Sequence, residues 1–403
     1  MGGEALDRMR DMSPRRAIAR VDLAAIERNC ARLSAELDQG CELCVVVKAN
    51  GYGHGAVPSA RAALDAGASW LAVAGASEAA DLRRAGMRGA RLLVMGALSP
   101  PELREALDAD ADVVVWREES VEAVAAAGGG RVHVKLDSGM GRLGTRDPGQ
   151  ASRVVAAAAD TPGVALAGVM THFATADEED DAFFYRQLEL FERWAAAVKA
   201  EHPQVVVHAA NSAATLREKR AHFDMVRCGI AVYGMDPFGR DPDTQGFVPA
   251  LELASYVAEV KHCSRGESAG YGRRFVAERD TLLAVLPIGY GDGVRRGLSN
   301  NAEILVGGKR CPLVGTVSMD NLTVDLGERP DGMALRGAEA VLIGARAAQR
   351  ITAEDVAERL RTINYEVTCG LTARVPRAYH RDGVPIEEAG LPRAAPAESA
   401  PTA

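Results

Sequence analysis

Val45-Val46-Val47-Lys48-Ala49-Asn50-Gly51-Tyr52-Gly53-His54-Gly55 decides how the rest of the chain is read. A short apolar run leads straight into a lysine. A glycine-rich turn holding a tyrosine and a histidine follows, and then a helical pattern. A lysine at the tip of a buried strand is partly desolvated, which favours its neutral, nucleophilic amine. The plainer alternative is a snorkelling lysine at a sheet edge.

Working outward, the same unit recurs. Apolar runs at Cys44–Val47, Trp70–Ala74, Arg91–Met95, Asp112–Trp116, Val132–Leu136, Leu166–Thr171, Val205–Ala209 and Met225–Val232 alternate with mostly alanine-rich helical segments. Eight strands each followed by a helix predict a (β/α)8 TIM-type barrel, with an open doubly wound sheet as the alternative. Beyond about residue 245 the runs become short, β-prone and separated by glycine-rich turns, with Ala353–Arg361 the one clear helix. The expected organisation is a disordered lead-in over 1–15 and a barrel over 16–245, of which 16–22 can instead join the β part. A mostly β C-terminal domain over 246–388 and a disordered Ala/Pro-rich tail over 389–403 complete it.

Composition narrows the function. The chain has 403 residues, more than one ordinary core holds, and a net charge of −8 without long single-sign runs. That argues against nucleic acid or an anionic membrane as partner. No apolar stretch reaches the length of a membrane span, and Met1 to Arg20 lacks a secretion signal, so a cytoplasmic location is expected. Seven cysteines fit free thiols in a reducing compartment. Cys41 and Cys44 spell C-x-x-C, but a second pair at metal-finger spacing is missing, so no metal site is expected.

In such barrels the working groups stand at the C-terminal ends of the strands. Here those ends carry Lys48, Asn50 and Tyr52; Lys135, Asp137 and Arg142; Thr171 and His172; His208, Asn211 and Ser212; and Arg227, Gly229 and Ile230. Asn211 and Ser212 offer side-chain donors and Gly229-Ile230 close backbone amides, a phosphate site between strands seven and eight. A phosphate there, with a lysine across the rim, suggests a phosphorylated aldehyde held covalently by Lys48, and pyridoxal phosphate is the obvious candidate. Arg227 beside its ring nitrogen would keep that nitrogen unprotonated. Gly139-Met140-Gly141-Arg142-Leu143-Gly144 matches a dinucleotide fingerprint, but it lies in the fifth unit and Asp147-Pro148-Gly149 interrupts before any helix. In the β part, Tyr271 and Tyr290 are each flanked by glycines, and Ser318-Met319-Asp320 and Ile363-Asn364-Tyr365-Glu366 complete the polar set.

Together, VVKANGYGHG, VHVKLDSGMGRLG, GVMTHFATAD, HAANSAATL, HFDMVRCGIAVYG, GYGR, PIGYGDG, VGTVSMD and INYEV resemble the alanine racemase family, in order and from about Val21 to Arg377. The resemblance implies a barrel plus a β domain in a head-to-tail homodimer with shared active sites, pyridoxal 5'-phosphate on Lys48, and interconversion of L- and D-alanine. It implies that Tyr52, Ser212, Gly229, Ile230 and Tyr365 contact the phosphate and Arg227 the pyridine nitrogen. Arg142 would hold the cofactor phenol oxygen and the substrate carboxylate, and Lys135 would be a candidate carbamate steadying it. Tyr271 would be the second base, reaching in from the other subunit beside Met319, with His172 orienting it. His208, Tyr290 and Asp320 would support the site. Departures are Gly51, where alanine is usual, Cys228, where proline or phenylalanine is commoner, and Ser318, where cysteine is frequent. A broad-specificity or serine racemase of the same fold is the main rival, separable by kcat/KM on alanine and serine. A non-catalytic cofactor carrier would not need the domain that bears Tyr271, and a decarboxylase would release carbon dioxide.

Overall fold

The computed structural model describes residues 15–386. The expected tail, and the expected lead-in apart from Arg15, lie outside the described residues. The first strand, β1 (Ile18–Asp22), is followed by the helix Leu23–Ser34, whose first turn is capped by Asp22 Oδ1 accepting from Ala24 N at 3.0 Å. Eight parallel strands then close a barrel. They are β2 (Glu42–Val46), β3 (Trp70–Val73), β4 (Arg91–Val94), β5 (Ala111–Val115), β6 (Gly130–Lys135), β7 (Val164–Met170), β8 (Val206–His208) and β9 (Met225–Cys228). Closure comes from β2 pairing with β9, Cys44 opposite Arg227, which excludes the open sheet. Strands covered by helices on one side and packed interior on the other are apolar throughout, which is why β3 and β5 are buried at every residue.

Three expectations change. The eighth apolar run is a strand only to Cys228, and Ile230–Tyr233 turn into a 3-10 helix, so the last barrel strand is not followed by an α-helix. All four residues of that turn are buried, and an apolar run buried all round looks the same in either conformation. One of the short β-prone runs, read from the sequence as extending over Leu313–Asp320, leaves the strand after Val314, where Gly315 takes φ +77. A second helix, Asn364–Cys369, follows Ala353–Leu360; its six residues are too few to show a helical period.

The remaining described strands form an eleven-stranded sheet, in which β1 lies between β10 (Leu251–Tyr256), antiparallel to it, and the parallel strand Arg377–Arg381, and a separate two-stranded sheet of Ser268–Ala269 and Phe275–Val276, which flank Tyr271. None of the described helices is long and apolar enough to cross a membrane.

A polar chain crosses the barrel interior. Arg227 Nη1 donates to His208 Nδ1 at 2.9 Å, so that nitrogen carries the lone pair. His208 Nε2 then donates to His133 Nδ1 at 2.8 Å, and His133 Nε2 to Asp112 Oδ2 at 3.0 Å. Every donor points the same way, and the network assigns both imidazoles as neutral Nε2–H tautomers. Burial, reinforced by Arg227 and by His133, holds His208 well below the usual imidazole range; burial also lowers His133, with Asp112 opposing. Burial alone would raise the Asp112 carboxyl, but its bonds to His133 and Arg131 and the nearby Arg91 outweigh that and bring it to about 2. Arg91 in turn lies 4.0 Å over the Trp70 ring. His54, buried beneath the Lys48 turn with Nδ1 3.1 Å from Gly51 O and 3.0 Å from Tyr52 O, is pushed down to about 4, chiefly by burial.

These imidazoles tie stability to pH. Below the ordinary value of 6.5 the unfolded chain binds protons that the folded interior refuses, so stability falls as pH falls. Each fully linked imidazole contributes a slope of about 1.4 kcal/mol per pH unit. Urea unfolding of the holoprotein between pH 6.5 and pH 4 is therefore expected to lose stability with a slope steeper than one imidazole gives. Stability that stays level across that window would show that the interior histidines are charged in the folded state.

Candidate active site

Beyond β2 the chain makes a left-handed turn: Ala49, Asn50, Gly51 and Tyr52 take φ of +52, +54, +62 and +52. For residues with a Cβ this conformation costs about 1–2 kcal/mol each, and it persists only where the surroundings enforce it. Here Gly51 N donates to Val47 O at 2.9 Å and Gly55 N to Asn50 O at 2.8 Å, while Asn50 Oδ1 accepts from Ala56 N at 3.0 Å. Glu78 Oε1 accepts from Ala49 N at 2.7 Å and its Oε2 from Ala74 N at 2.8 Å, tying the turn to the next unit. Gly51, a departure from the family pattern, thus stands where glycine is the least strained residue. Lys48 opens the turn and is half-buried; burial first, and then Arg142, lower its pKa, while Glu78 and Cys369 oppose.

Opposite the turn, Ser212 Oγ accepts from Gly229 N at 3.0 Å and Ala231 N at 3.5 Å, which leaves its own proton to be donated. A Cβ on Gly229 would lie 2.3 Å from Tyr52 Oη, so the phenol rests directly on the glycine. The Tyr365 ring stands 5.9 Å from that of Tyr52, and burial keeps both phenols protonated by raising their pKa. Three hydroxyl-bearing residues thus gather beside the Gly229-Ile230 turn. Asn211 uses Oδ1 to cap the helix Ser212–Arg217 through Ala214 N at 2.9 Å, so only its amide nitrogen can serve as a donor.

Arg227 is 3 % exposed. Besides His208, its Nη2 donates to Thr171 O at 2.9 Å, Ala209 O at 3.0 Å and His172 Nδ1 at 3.3 Å. Among the described residues its Nε–H makes no hydrogen bond and its Nη1 bonds only His208, so donors remain for an acceptor outside the chain. Burial lowers the guanidinium to about 10, with the thiols Cys44 and Cys228 opposing. Lys135 is buried and pushed down to about 8, first by burial and then by Arg227 and Arg142. Burial and the same cations hold His172 well below the imidazole range. The Arg142 loop folds round Asp137, whose carboxylate accepts from Gly139 N at 3.1 Å and Gly141 N at 2.9 Å. The next helix begins only at Pro148, so this glycine motif does not lead into a helix as a dinucleotide site requires.

The second group of expected residues forms a separate cluster. Tyr290 N donates to Ser318 O at 3.0 Å, Gly291 N to Met319 O at 2.9 Å, and Thr316 Oγ1 to Tyr271 O at 2.8 Å. Asp320 Oδ1 accepts from Arg374 at 2.5 Å. Tyr271 is 74 % exposed and Met319 52 %, and no hydrogen bond among the described residues joins the Tyr271 phenol to the Lys48 rim.

Sequence reasoning missed the residues behind this rim: Glu78, His133 and Asp112. His133 and Lys135 stand two apart on one strand, hence on the same face, and that spacing could have placed the histidine in the interior. A cavity of about 250 Å³ lined by His54, Tyr233 and Glu354 lies elsewhere: Lys48 is not part of it, and Tyr233 stacks between His54, at 4.5 Å, and Tyr52, at 5.1 Å. The seven cysteines are all unpaired, and among the described residues no group of three or more His, Cys, Asp or Glu could hold a metal ion.

Known proteins match this arrangement along most of the chain. Residues 21–237 fit the model of the alanine racemase N-terminal domain, and residues 250–379 that of the C-terminal domain. The alanine racemase of Symbiobacterium thermophilum is 41 % identical over 90 % of this chain and 96 % of its own length, and alanine racemase 1 of Bacillus subtilis is 39 % identical over 92 % and 94 %. The crystal structure of alanine racemase from Streptomyces lavendulae, 39 % identical, superposes with a TM-score of 0.84 over 91 % of this chain and 97 % of that one. With both halves matched in tandem, this chain belongs to the alanine racemase family.

Proposed function

We propose that the chain interconverts L-alanine and D-alanine with pyridoxal 5'-phosphate, feeding D-alanine to peptidoglycan in the cytoplasm. The observation that carries this reading is the rim itself: a desolvated lysine, a hydroxyl cradle and a buried arginine with unmatched donors stand at the mouth of a single barrel. The donor set fits the cofactor. Ser212, Tyr52, Tyr365 and the Gly229-Ile230 turn would hold its phosphate, with the Asn211 amide nearby. Arg227 Nε–H would face its ring nitrogen, Arg142 its phenol oxygen, and Lys48 its aldehyde carbon. Bound there, the group supplies an electron-withdrawing ring that stabilises negative charge on the substrate Cα.

The chain's own residues do the rest. Arg142 binds the substrate carboxylate. Lys48 Nζ takes or returns the Cα proton on one side, a role suited to an amine whose charged form burial disfavours. The phenol oxygen of Tyr271 from a second copy does so on the other side, with Met319 beside it and His172 orienting it. A phenol 74 % exposed in one chain fits a site completed by a homodimer. Arg227 donates and cannot accept, so the nitrogen opposite it stays unprotonated and the ring withdraws electrons less strongly, which restrains transamination. Lys135, as amine or carbamate, steadies Arg142, and His208, Tyr290 and Asp320 support the two groups. The barrel is taken as 16–245 and the β domain as 246–388, with 16–22 joined to the latter through β1.

Two outcomes test this. Gly229→Ala drives a methyl into Tyr52 Oη. Cofactor affinity, read by resupply to the stripped enzyme, is expected to fall about tenfold or more, some 1.4 kcal/mol; unchanged affinity would remove Tyr52 from the cradle. Tyr271→Phe is expected to slow racemisation in both directions together by about 10²–10⁴-fold. Exchange of the Cα hydrogen on D-alanine, through Lys48, should survive better than exchange on L-alanine. Equal loss of both exchanges would refute the division between the two bases.

A further inference from the structure

The helix Ala182–Glu201 turns Phe184, Leu188, Phe191, Trp194, Ala195 and Val198 to the core, and one amide, Gln187, stands in that stripe at 1 % exposure. A buried amide left unbonded costs about 1–3 kcal/mol per group, so its bonds explain its place. Oε1 accepts from Ala174 N at 2.9 Å, and Nε2 donates to Ser138 Oγ at 3.3 Å and reaches His172 O at 3.5 Å. Ser138 Oγ is in turn 2.8 Å from Thr171 Oγ1. At Gly139 a Cβ would lie 2.7 Å from the Phe183 ring and 3.3 Å from Gln187 Nε2, so this loop is pressed onto the helix.

Ser138 and Gly139 open the loop that carries Arg142; His172 and Ala174 belong to the loop after β7. The two loops leave neighbouring strands, and no backbone hydrogen bond among the described residues joins 138–144 to 172–176. We propose that Gln187 is a positioning residue that sets the spacing between the Arg142 loop and the His172 loop, and so between the group that binds the substrate carboxylate and the group that orients the phenol. This rests on the roles given to Arg142 and His172 above. Gln187 touches neither substrate nor cofactor; it acts through the two loops. Its amide suits the task because it accepts on one edge and donates on the other. Methionine has the same length and neither function. Glutamate keeps the acceptor for Ala174 N and can accept a hydrogen bond from the Ser138 hydroxyl, but it sets an acceptor against the His172 carbonyl.

The test uses the holoenzyme dimer and the variants Gln187→Met and Gln187→Glu, alone and combined with His172→Ala. Cofactor content, visible spectrum, Tm, and kcat and KM in both directions are measured. Gln187→Met is expected to keep the cofactor and its spectrum, to raise KM for alanine and to lower kcat, about tenfold each. Once His172 is already alanine the further loss of kcat should be less than about threefold, because the imidazole that Gln187 positions is gone, while the rise in KM through the Arg142 loop persists. Gln187→Glu should show the same coupling with a smaller loss, and it decides the matter if the methionine variant does not fold. Losses of kcat that multiply fully in the His172→Ala background, or losses that follow Tm or cofactor release, would overturn the proposal. Alanine racemisation by the unaltered enzyme, run alongside, separates that failure from a failure of the assigned activity.

Discussion

Crowding of positive charge at the barrel mouth is the constraint on which the rest depends. Lys48, Lys135, Arg142 and Arg227 each lower the proton affinity of groups around them, and Lys135 feels the other three. Like charges brought within a few ångströms repel by about 4 kcal/mol in a protein-like dielectric, and more where water is excluded. Nearby carboxylates are committed elsewhere: Asp137 to its own loop amides and Glu78 to the amides of Ala49 and Ala74. A rim of this kind is stable when anions occupy it, and a phosphate, a phenolate oxygen and an amino acid carboxylate are the anions the proposed chemistry brings.

Holding those cations in place demands rigid supports, because a misplacement of about 1 Å at a reacting centre is costly. The supports are of different kinds. Lys48 is held by a left-handed turn braced by its own hydrogen bonds and by Glu78, whose carboxylate accepts from Ala49 N of the turn and from Ala74 N of the next unit. Arg227 is held by the one-directional chain through His208 and His133 to Asp112, which also denies it any second acceptor on that side. Both imidazoles must stay neutral for that chain to keep its direction, and burial ensures it. Asp112 has no substrate to meet, yet it anchors the tautomers on which the rim arginine relies.

Much of this was legible in the residues. Eight alternating units gave the closed barrel, and the strand-end rule gathered Lys48, Tyr52, Arg142, His172, Ser212 and Arg227 at one mouth, because parallel strands all end on the same side. Three things were not legible. The apolar run after Met225 hides a 3-10 turn, since burial on every face erases the period. The helix bearing Tyr365 is too short to show one. His133, Asp112 and Gln187 work through partners distant in sequence, so no local pattern marks them. Tyr271 was found by its flanking glycines and by the resemblance. Its proposed relation to Lys48 calls on a second copy of the chain, and one chain shows only an exposed phenol.

The most direct measurement of whether the cation-rich mouth exists to hold a phosphorylated aldehyde is borohydride reduction of the purified protein, with the visible spectrum recorded before and after and the labelled peptide mapped by mass. A visible band that disappears on reduction, with a pyridoxyl group on Lys48 alone, is the expected result. A colourless protein, or label on Lys135 or any other lysine, would contradict the central claim.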